Sequence, residues 1–338
     1  MNQFPYRTGV CGIGAASLAR LSVRLPVVLA AVLGTAAFGD GAAAQFLTPA
    51  PQETELGESR VQRWRAGVEI TASGGPCRRV VGYVPLPVDW PEQIVHVVEE
   101  DVSSNARVSF RTEGTVNMML MNVNSLGAGE SAHAIVTLEI ERFAQLPPAE
   151  TDDFRVPEPQ DLDAPLRSYL NPSLQIEPRD SRVRSQALEI VGELEGGWEK
   201  AEAIYEWVRE NIENKPGRLK GAAATLRDGY GQREDLTSLF IALCRAAGIP
   251  ARTVWLPGHC YAEFYLVDSE GQGVWFPAQV AGAEAFGEMP DHRAILQKGD
   301  NFRPSYNRRE QQRYLAEHVE ASGTGRPRVR FIREMVSE

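Results

Sequence analysis

Between Val61 and Gln145 apolar and polar residues alternate in short runs. These runs are "VQRWRAGVEITAS", "RRVVGYVPLP", "QIVHVVEEDV", "ARVSFRTEG", "TVNMMLMNVN" and "SAHAIVTLEIERF", separated by Gly, Pro and Asn/Asp turns. A period of two places alternate side chains on opposite faces of a strand, so one face can be buried while the other stays wet. Several such strands at this spacing predict a small β-sandwich over residues 59–146. The stretch "LPPAETDDFRVPEPQDLDAP" that follows is proline-rich and acidic, and 147–166 reads as a linker.

The period then lengthens. Asp180 or Ser181 caps "RVRSQALEIVGELEGG", with Ala187, Leu188, Val191 and Leu194 on one helical face. "WEKAEAIYEWVRENI" repeats the spacing with Trp198, Ala201, Tyr205, Val208 and Ile212. A third helix carries Leu236, Leu239, Phe240, Leu243, Cys244 and Ala247, and Gly248 with Pro250 beyond it stops the run. Strands return in "ARTVWL", "HCYAEFYLVD" and "VWFPAQ". The last part, 301–338, reads as a largely irregular extension with one strand at "RVRFIREM". The expected architecture is α+β: an all-β domain, then a helix-plus-sheet domain over 167–300.

The N-terminus changes the picture. Arg7, Arg20 and Arg24 precede the apolar run "LPVVLAAVLGTAAFG" and the small residues "GAAA". That is the layout of a secretory signal peptide over 1–44, cleaved after Ala44, and the run is short for a membrane anchor. The expected location is periplasmic or extracellular. Removing 1–44 leaves 32 basic against 44 acidic side chains, a net charge of −12. So acidic a chain is a poor partner for nucleic acid or anionic membranes, and no second apolar run is long enough to span a bilayer. Cys77, Cys244 and Cys260 remain, too few for a disulfide framework, and they read as small buried hydrophobes. His96, His133, His259, His292 and His318 are scattered without metal-ligand spacing, and no phosphate-binding glycine loop appears, so no cofactor or metal is expected.

One helix start is odd. "YGQREDLTSLFIALCRAAGIPAR" places Arg233 at the positive end of the third helix, where a cation is mildly unfavourable. Together with "YLNPSLQIEP", "KAEAIYEWVRENI", "GAAATLRDGYGQRED", "HCYAEFYLVD" and "VWFPAQ", this stretch makes residues 168–280 resemble the transglutaminase-like domain of the papain-like cysteine-catalysis superfamily. The resemblance implies a helix-borne thiol nucleophile, a histidine on the adjacent strand and a carboxylate on the next. Carried over residue by residue, the nucleophile position is Arg233, the histidine is His259 and the carboxylate position is Gln279. Arginine remains protonated and cannot attack an acyl carbon, and glutamine supplies no negative charge to an imidazolium. Cys260 follows His259 on a strand and points to the opposite face, and Cys244 lies well along the helix.

The acidic neighbours Glu234 and Asp235 suit a helix start and offset the charge of Arg233, which an Arg233–Glu263 or Arg233–Asp235 pair would also do. Tyr261 and Trp275, with Trp255 and Tyr265, are either core or the lining of a groove. The resulting expectation is an exported, catalytically degenerate binding module for a peptide, a protein or a cell-envelope ligand, binding through Arg233, His259, Gln279, Tyr261 and Trp275. The alternatives are a peptidase or amide-acyl transferase with an unrecognised nucleophile, and a structural envelope scaffold.

Overall fold

The computed structural model describes residues 54–336. The expected signal peptide lies outside the described residues. Six antiparallel strands come first: β1 (Leu56–Ser73), β2 (Cys77–Leu86), β3 (Gln93–Val102), β4 (Arg107–Glu113), β5 (Val116–Leu126) and β6 (Ser131–Gln145). A short helix α1 (Ala164–Ser168) leads to α2 (Ser181–Val191) and α3 (Gly197–Asn211). Two short strands, β7 (Glu213–Asn214) and β8 (Tyr230–Gly231), pair in parallel around α4 (Ala222–Asp228). Helix α5 (Arg233–Ala246) is followed by β9 (Ala251–Leu256), β10 (His259–Val267), β11 (Gly273–Gln279), β12 (Ala285–Phe286) and β13 (Gln297–Lys298). Strands β14 (His318–Gly323) and β15 (Arg326–Val336) complete the order.

Strands β1 to β6 form two sheets, of order β15-β1-β6-β3 and β14-β2-β5-β4. Their inward residues, among them Val68, Ile70, Val84, Met119, Met121, Val136 and Leu138, make one core. Gly67 marks a close approach of β1 to β6: a Cβ there would lie 2.5 Å from the Ala134 carbonyl oxygen. The C-terminal segment differs from the expected irregular extension. It folds into two strands, β14 on β2 and β15 along most of β1, and each completes one of the two sheets. β15 is the strand expected at "RVRFIREM", an edge strand that alternates arginine with apolar residues, whereas β14 was not expected.

In the second domain the sheet β12-β11-β10-β9-β13 carries the helices on one face. Helix α5 is buried on every side from Asp235 to Arg245, which makes it the central helix of this core. It packs on Ala262, Phe264 and Phe276 from β10 and β11. Full burial of a side chain such as Leu239 or Phe240 contributes roughly 1.5–3 kcal/mol. Gly248, at φ +86°, ends the helix in a conformation that L side chains rarely adopt. Helix α2 is shorter than its sequence pattern: it stops at Val191, buries Val183, Ala187 and Val191, and leaves Leu188 69% exposed. The expected linker 147–166 is packed rather than loose. Arg155 bridges to Val267, and the Phe154 ring sits 4.8 Å from that of Phe276.

The opposite face of this sheet meets the β-sandwich. There Lys298 donates to both Glu92 and Glu263 at 2.6 Å, and Arg252 donates to Glu263 at 2.7 Å, all four side chains being buried. Burial pushes the Glu263 carboxyl up, but Lys298 and Arg252 outweigh it and hold the group below the usual carboxylate range. Gln93 adds a two-way clasp, donating to the Ile295 carbonyl and accepting from the Ile295 N–H.

Candidate functional site

Helix α5 begins in half of a capping box: the Asp235 carboxylate accepts the backbone N–H of Gln232 at 3.1 Å, while the Asp235 N–H goes to the Gln232 backbone carbonyl at 2.8 Å. Asp235 is fully buried and also accepts from the backbone of Lys220 at 2.8 Å and of Gly221 at 2.9 Å. Its carboxylate therefore pins the preceding loop to the helix start. Arg233 is the first residue of the helix. Its side chain is exposed, and its guanidinium has no hydrogen-bond or ion-pair partner among the described residues. Neither expected pair forms. Asp235 is occupied by the three backbone N–H groups, and Glu263 by Lys298 and Arg252. Glu234 does not offset Arg233 either, because it turns to Arg313 at 3.2 Å. Burial raises the Glu234 carboxyl above its ordinary value, with Arg313 opposing and Asp235 adding to the rise.

His259 opens β10, and its Nε2 lies 2.6 Å from Gln279 Oε1 at the end of β11. The Gln279 amide nitrogen donates to the Ala283 carbonyl at 2.8 Å, so its oxygen faces His259. An amide oxygen only accepts, so the imidazole proton sits on Nε2 and Nδ1 keeps its lone pair. Burial lowers the His259 pKa; the bond to Gln279 raises it, the nearby Arg293 and Arg233 charges lower it, and Asp291 raises it, leaving it below the ordinary value. Histidine at this site is neutral at neutral pH.

Among the described residues no cysteine is exposed at the start of α5 beside His259. The Cys260 sulfur is turned to Thr237, 3.9 Å from its hydroxyl oxygen, and burial together with Glu234 pushes its pKa up to about 12. Cys244 is fully buried in the core of the helical layer, and burial pushes its thiol well up. Cys77 lies in the sandwich core. Among the described residues no group of three or more His, Cys, Asp or Glu is placed to hold a metal ion.

Arg233 and His259 share a cleft of about 950 Å³. One wall comes from the second domain, with Glu234, Trp255 and Tyr314. The other comes from the sandwich, with Trp64, Pro85 and Pro87. Tyr261 and Trp275, expected in the binding set, are elsewhere. Tyr261 is fully buried against the sandwich, its hydroxyl 3.5 Å from Arg142, because it sits two residues deeper along the strand than His259. Trp275 lies at the far end of β11 from Gln279, with the Arg252 guanidinium 3.9 Å over its ring and Tyr265 and Tyr169 at its edges. Trp255 does line the cleft, its indole N–H donating to the Gly299 carbonyl at 2.8 Å.

The description of the Transglutaminase-like superfamily (Transglut_core) matches residues 184–280, which contain Arg233, His259 and Gln279. Residues 184–280 are a transglutaminase-like domain. A crystal structure described as a "Putative Cysteine Protease from Cytophaga hutchinsonii" shares the fold at a TM-score of 0.52. It is 17% identical, over 82% of this chain and 92% of its own. A Haemophilus influenzae protein described as uncharacterized is 24% identical over 180 residues, 51% of this chain and 48% of that protein. The chain thus spans about half the length of the curated relative that it matches.

In this transglutaminase-like domain, sequence reasoning missed the sandwich wall of the cleft. Trp64 reads as an ordinary core position of its strand, and it does belong to the sandwich core while also lining the cleft. Arg313 was missed as well. It lies in the irregular C-terminal part, and only its contacts reveal that it holds Glu234, Gln175 and Ser238.

Proposed function

We propose that this protein is a catalytically degenerate transglutaminase-like protein that binds a ligand in its cleft rather than transferring or hydrolysing an acyl group. The observation that carries the reading is Arg233. An unpartnered guanidinium occupies the start of the central helix, the position from which a thiol would attack, and the retained His259 is held neutral beside it. A neutral imidazole donating to an uncharged Gln279 lacks the counter-charge that stabilises an imidazolium during proton transfer. The same groups form a cationic spot at the positive end of a helix, suited to an anion. The net charge of −12 in the chain without residues 1–44 disfavours nucleic acid as that anion. We propose further that the chain is exported through the segment 1–44 and works in the periplasm or outside the cell on a peptide, protein or envelope ligand.

The test is thiol chemistry combined with turnover. The chain is incubated with an excess of iodoacetamide, then assayed for amidase, peptidase and amine-transfer activity on mixed peptide substrates, with the modified residue mapped by mass spectrometry. The expected result is no turnover before or after treatment and no fast labelling at Cys260. Rapid stoichiometric labelling of Cys260 that needs His259, accompanied by loss of a measurable activity, restores the enzyme reading.

A further inference from the structure

The cleft's charges and lining narrow the ligand further. We infer that it receives the C-terminus of an extended, apolar, proline-rich polypeptide, whose terminal carboxylate sits on Arg233. This rests on the binding reading above and names the chemistry of that same site.

Among the charged side chains that line the cleft, Arg233 is the one without a partner. Glu234 is paired with Arg313, Glu317 with Arg333, and His259 is neutral. One free positive charge matches an anion of one negative charge. A phosphate dianion would call for a second free cation, and the lining provides none. Arg233 also stands at the first position of a fourteen-residue helix, so its guanidinium and the helix's positive end act on the same anion.

The rest of the cleft is apolar where it counts. Trp64, Pro85 and Pro87 face Trp255 and Leu296. Few polar side chains could serve a sugar: the Trp255 indole N–H is already spent on a backbone carbonyl, which leaves chiefly the Gln232 and Asn214 amides. A polysaccharide needs a longer row of free donors and acceptors than these two amides provide. An extended prolyl chain does not, because its backbone stays solvated while its rings lie on aromatic and prolyl surfaces. Such a chain that ends in a carboxylate presents both features the cleft can recognise. The sandwich then has a role in binding, since it supplies Trp64, Pro85 and Pro87.

The test uses the full chain and an arrayed set of acetylated hexapeptides in which proline alternates with Leu, Val, Phe or Tyr. Each is made as the free acid, as the C-terminal amide, and as an amide carrying one internal Asp. Dodecanoate is included as an apolar carboxylate that is not a peptide. Binding is read by tryptophan fluorescence, to which Trp64 and Trp255 report, and by anisotropy of labelled peptides. For the best sequences the free acid is expected to bind at least tenfold more tightly than its amide. Arg233→Gln should bring the acid down to the level of the amide, and Trp64→Ala should weaken acid and amide by the same factor. Arg233 has no partner among the described residues, so its replacement should leave the far-UV circular dichroism and melting unchanged, which separates lost binding from lost structure. Equal affinity for acid and amide, or an Arg233→Gln variant that binds as before, overturns the inference. Equal binding of the internal-Asp amide overturns the terminus, and tight dodecanoate binding with no peptide binding overturns the polypeptide. If no peptide binds and none is turned over, the ligand class is wrong while the degenerate-site reading stands. Turnover of any peptide sinks that reading itself.

Discussion

Putting a thiol back at position 233 tests whether the helix start, His259 and Gln279 form the remains of a catalytic site. Arg233→Cys places the thiol at the first position of α5, where the helix dipole favours an anion by about 0.3–1 kcal/mol. At about 1.36 kcal/mol per pKa unit, that alone lowers the thiol by roughly 0.2–0.7 units from an ordinary value near 8.5. A larger drop requires a charged His259. In this protein burial disfavours the imidazolium, and Gln279 offers it a dipole and no charge. Adding Gln279→Glu puts a carboxylate of the same length where the amide oxygen lies 2.6 Å from Nε2, and removal of the Arg233 cation acts in the same direction. In the double variant the thiol is expected to fall by at least about 2 units relative to the single variant, towards the range of histidine-paired thiolates. The assay is the pH dependence of iodoacetamide labelling in the chain without residues 1–44. Cys260 stays silent there because its pKa is up at about 12. His259→Ala in the double-variant background should return the profile to that of the single variant. If the two variants titrate alike, or if His259→Ala changes nothing, positions 233, 259 and 279 do not act on one another and the site assignment is wrong.

Three further outcomes follow from the same contacts. Lys298→Met should destabilise the chain by about 3–5 kcal/mol in urea unfolding, because Glu92 loses its buried counter-ion and Glu263 one of two. A loss under about 1 kcal/mol would mean that the four-residue ion cluster does not hold the sandwich to the second sheet. Asp235→Ala leaves three backbone N–H groups without their acceptor and should cost at least about 2 kcal/mol, with Asp235→Asn recovering part of it; equal melting of Asp235→Ala and the parent would contradict the capping account. His259, whose folded pKa is lowered, binds its proton more readily in the unfolded chain. Its contribution is therefore nil at high pH and becomes destabilising as pH falls below the unfolded value of about 6.5. Chemical unfolding between pH 7.5 and 5.5 should show a falling stability that His259→Gln flattens, and an unchanged slope in that variant would place the titration elsewhere.

Local pattern carried the elements well and their company poorly. The start of α5 was legible at Gln232-Arg233-Glu234-Asp235 because a cap is a short-range device, and its end at Gly248 because only backbone freedom allows that turn. The His259–Gln279 contact was legible only through the family resemblance. Twenty residues separate the two, and nothing in either strand's alternation says that they end side by side. Tyr261 was misplaced for a related reason. Strand parity puts it on the face of His259, yet parity is silent about which domain covers that face two residues further in, where Arg142 and Glu92 of the sandwich close over it. The same blindness to long-range pairing hid β14 and left the expected strand β15 without a partner. Their sequences say that each is a half-wet strand, and only the partners β2 and β1 say that each completes a sheet.

In the proposed reading, Arg233 and Gln279 together favour a binding pocket over a site that has simply decayed. Loss of a thiol alone would leave a histidine able to charge against a carboxylate, next to a vacant helix start. Loss of the carboxylate alone would leave a poorly activated thiol. Together, burial, which acts most, and to a smaller extent Arg293 and Arg233 disfavour the imidazolium, while Gln279 favours it only with a dipole and no counter-charge. The free positive charge then belongs to Arg233 alone and does not change with pH across the neutral range. Meanwhile Asp235 still anchors the loop at Lys220–Gly221, and Arg313 still draws Glu234 away from the guanidinium. Glu234 and Asp235 are each held by other groups, so among the described residues the exposed guanidinium of Arg233 is left to solvent or to a ligand.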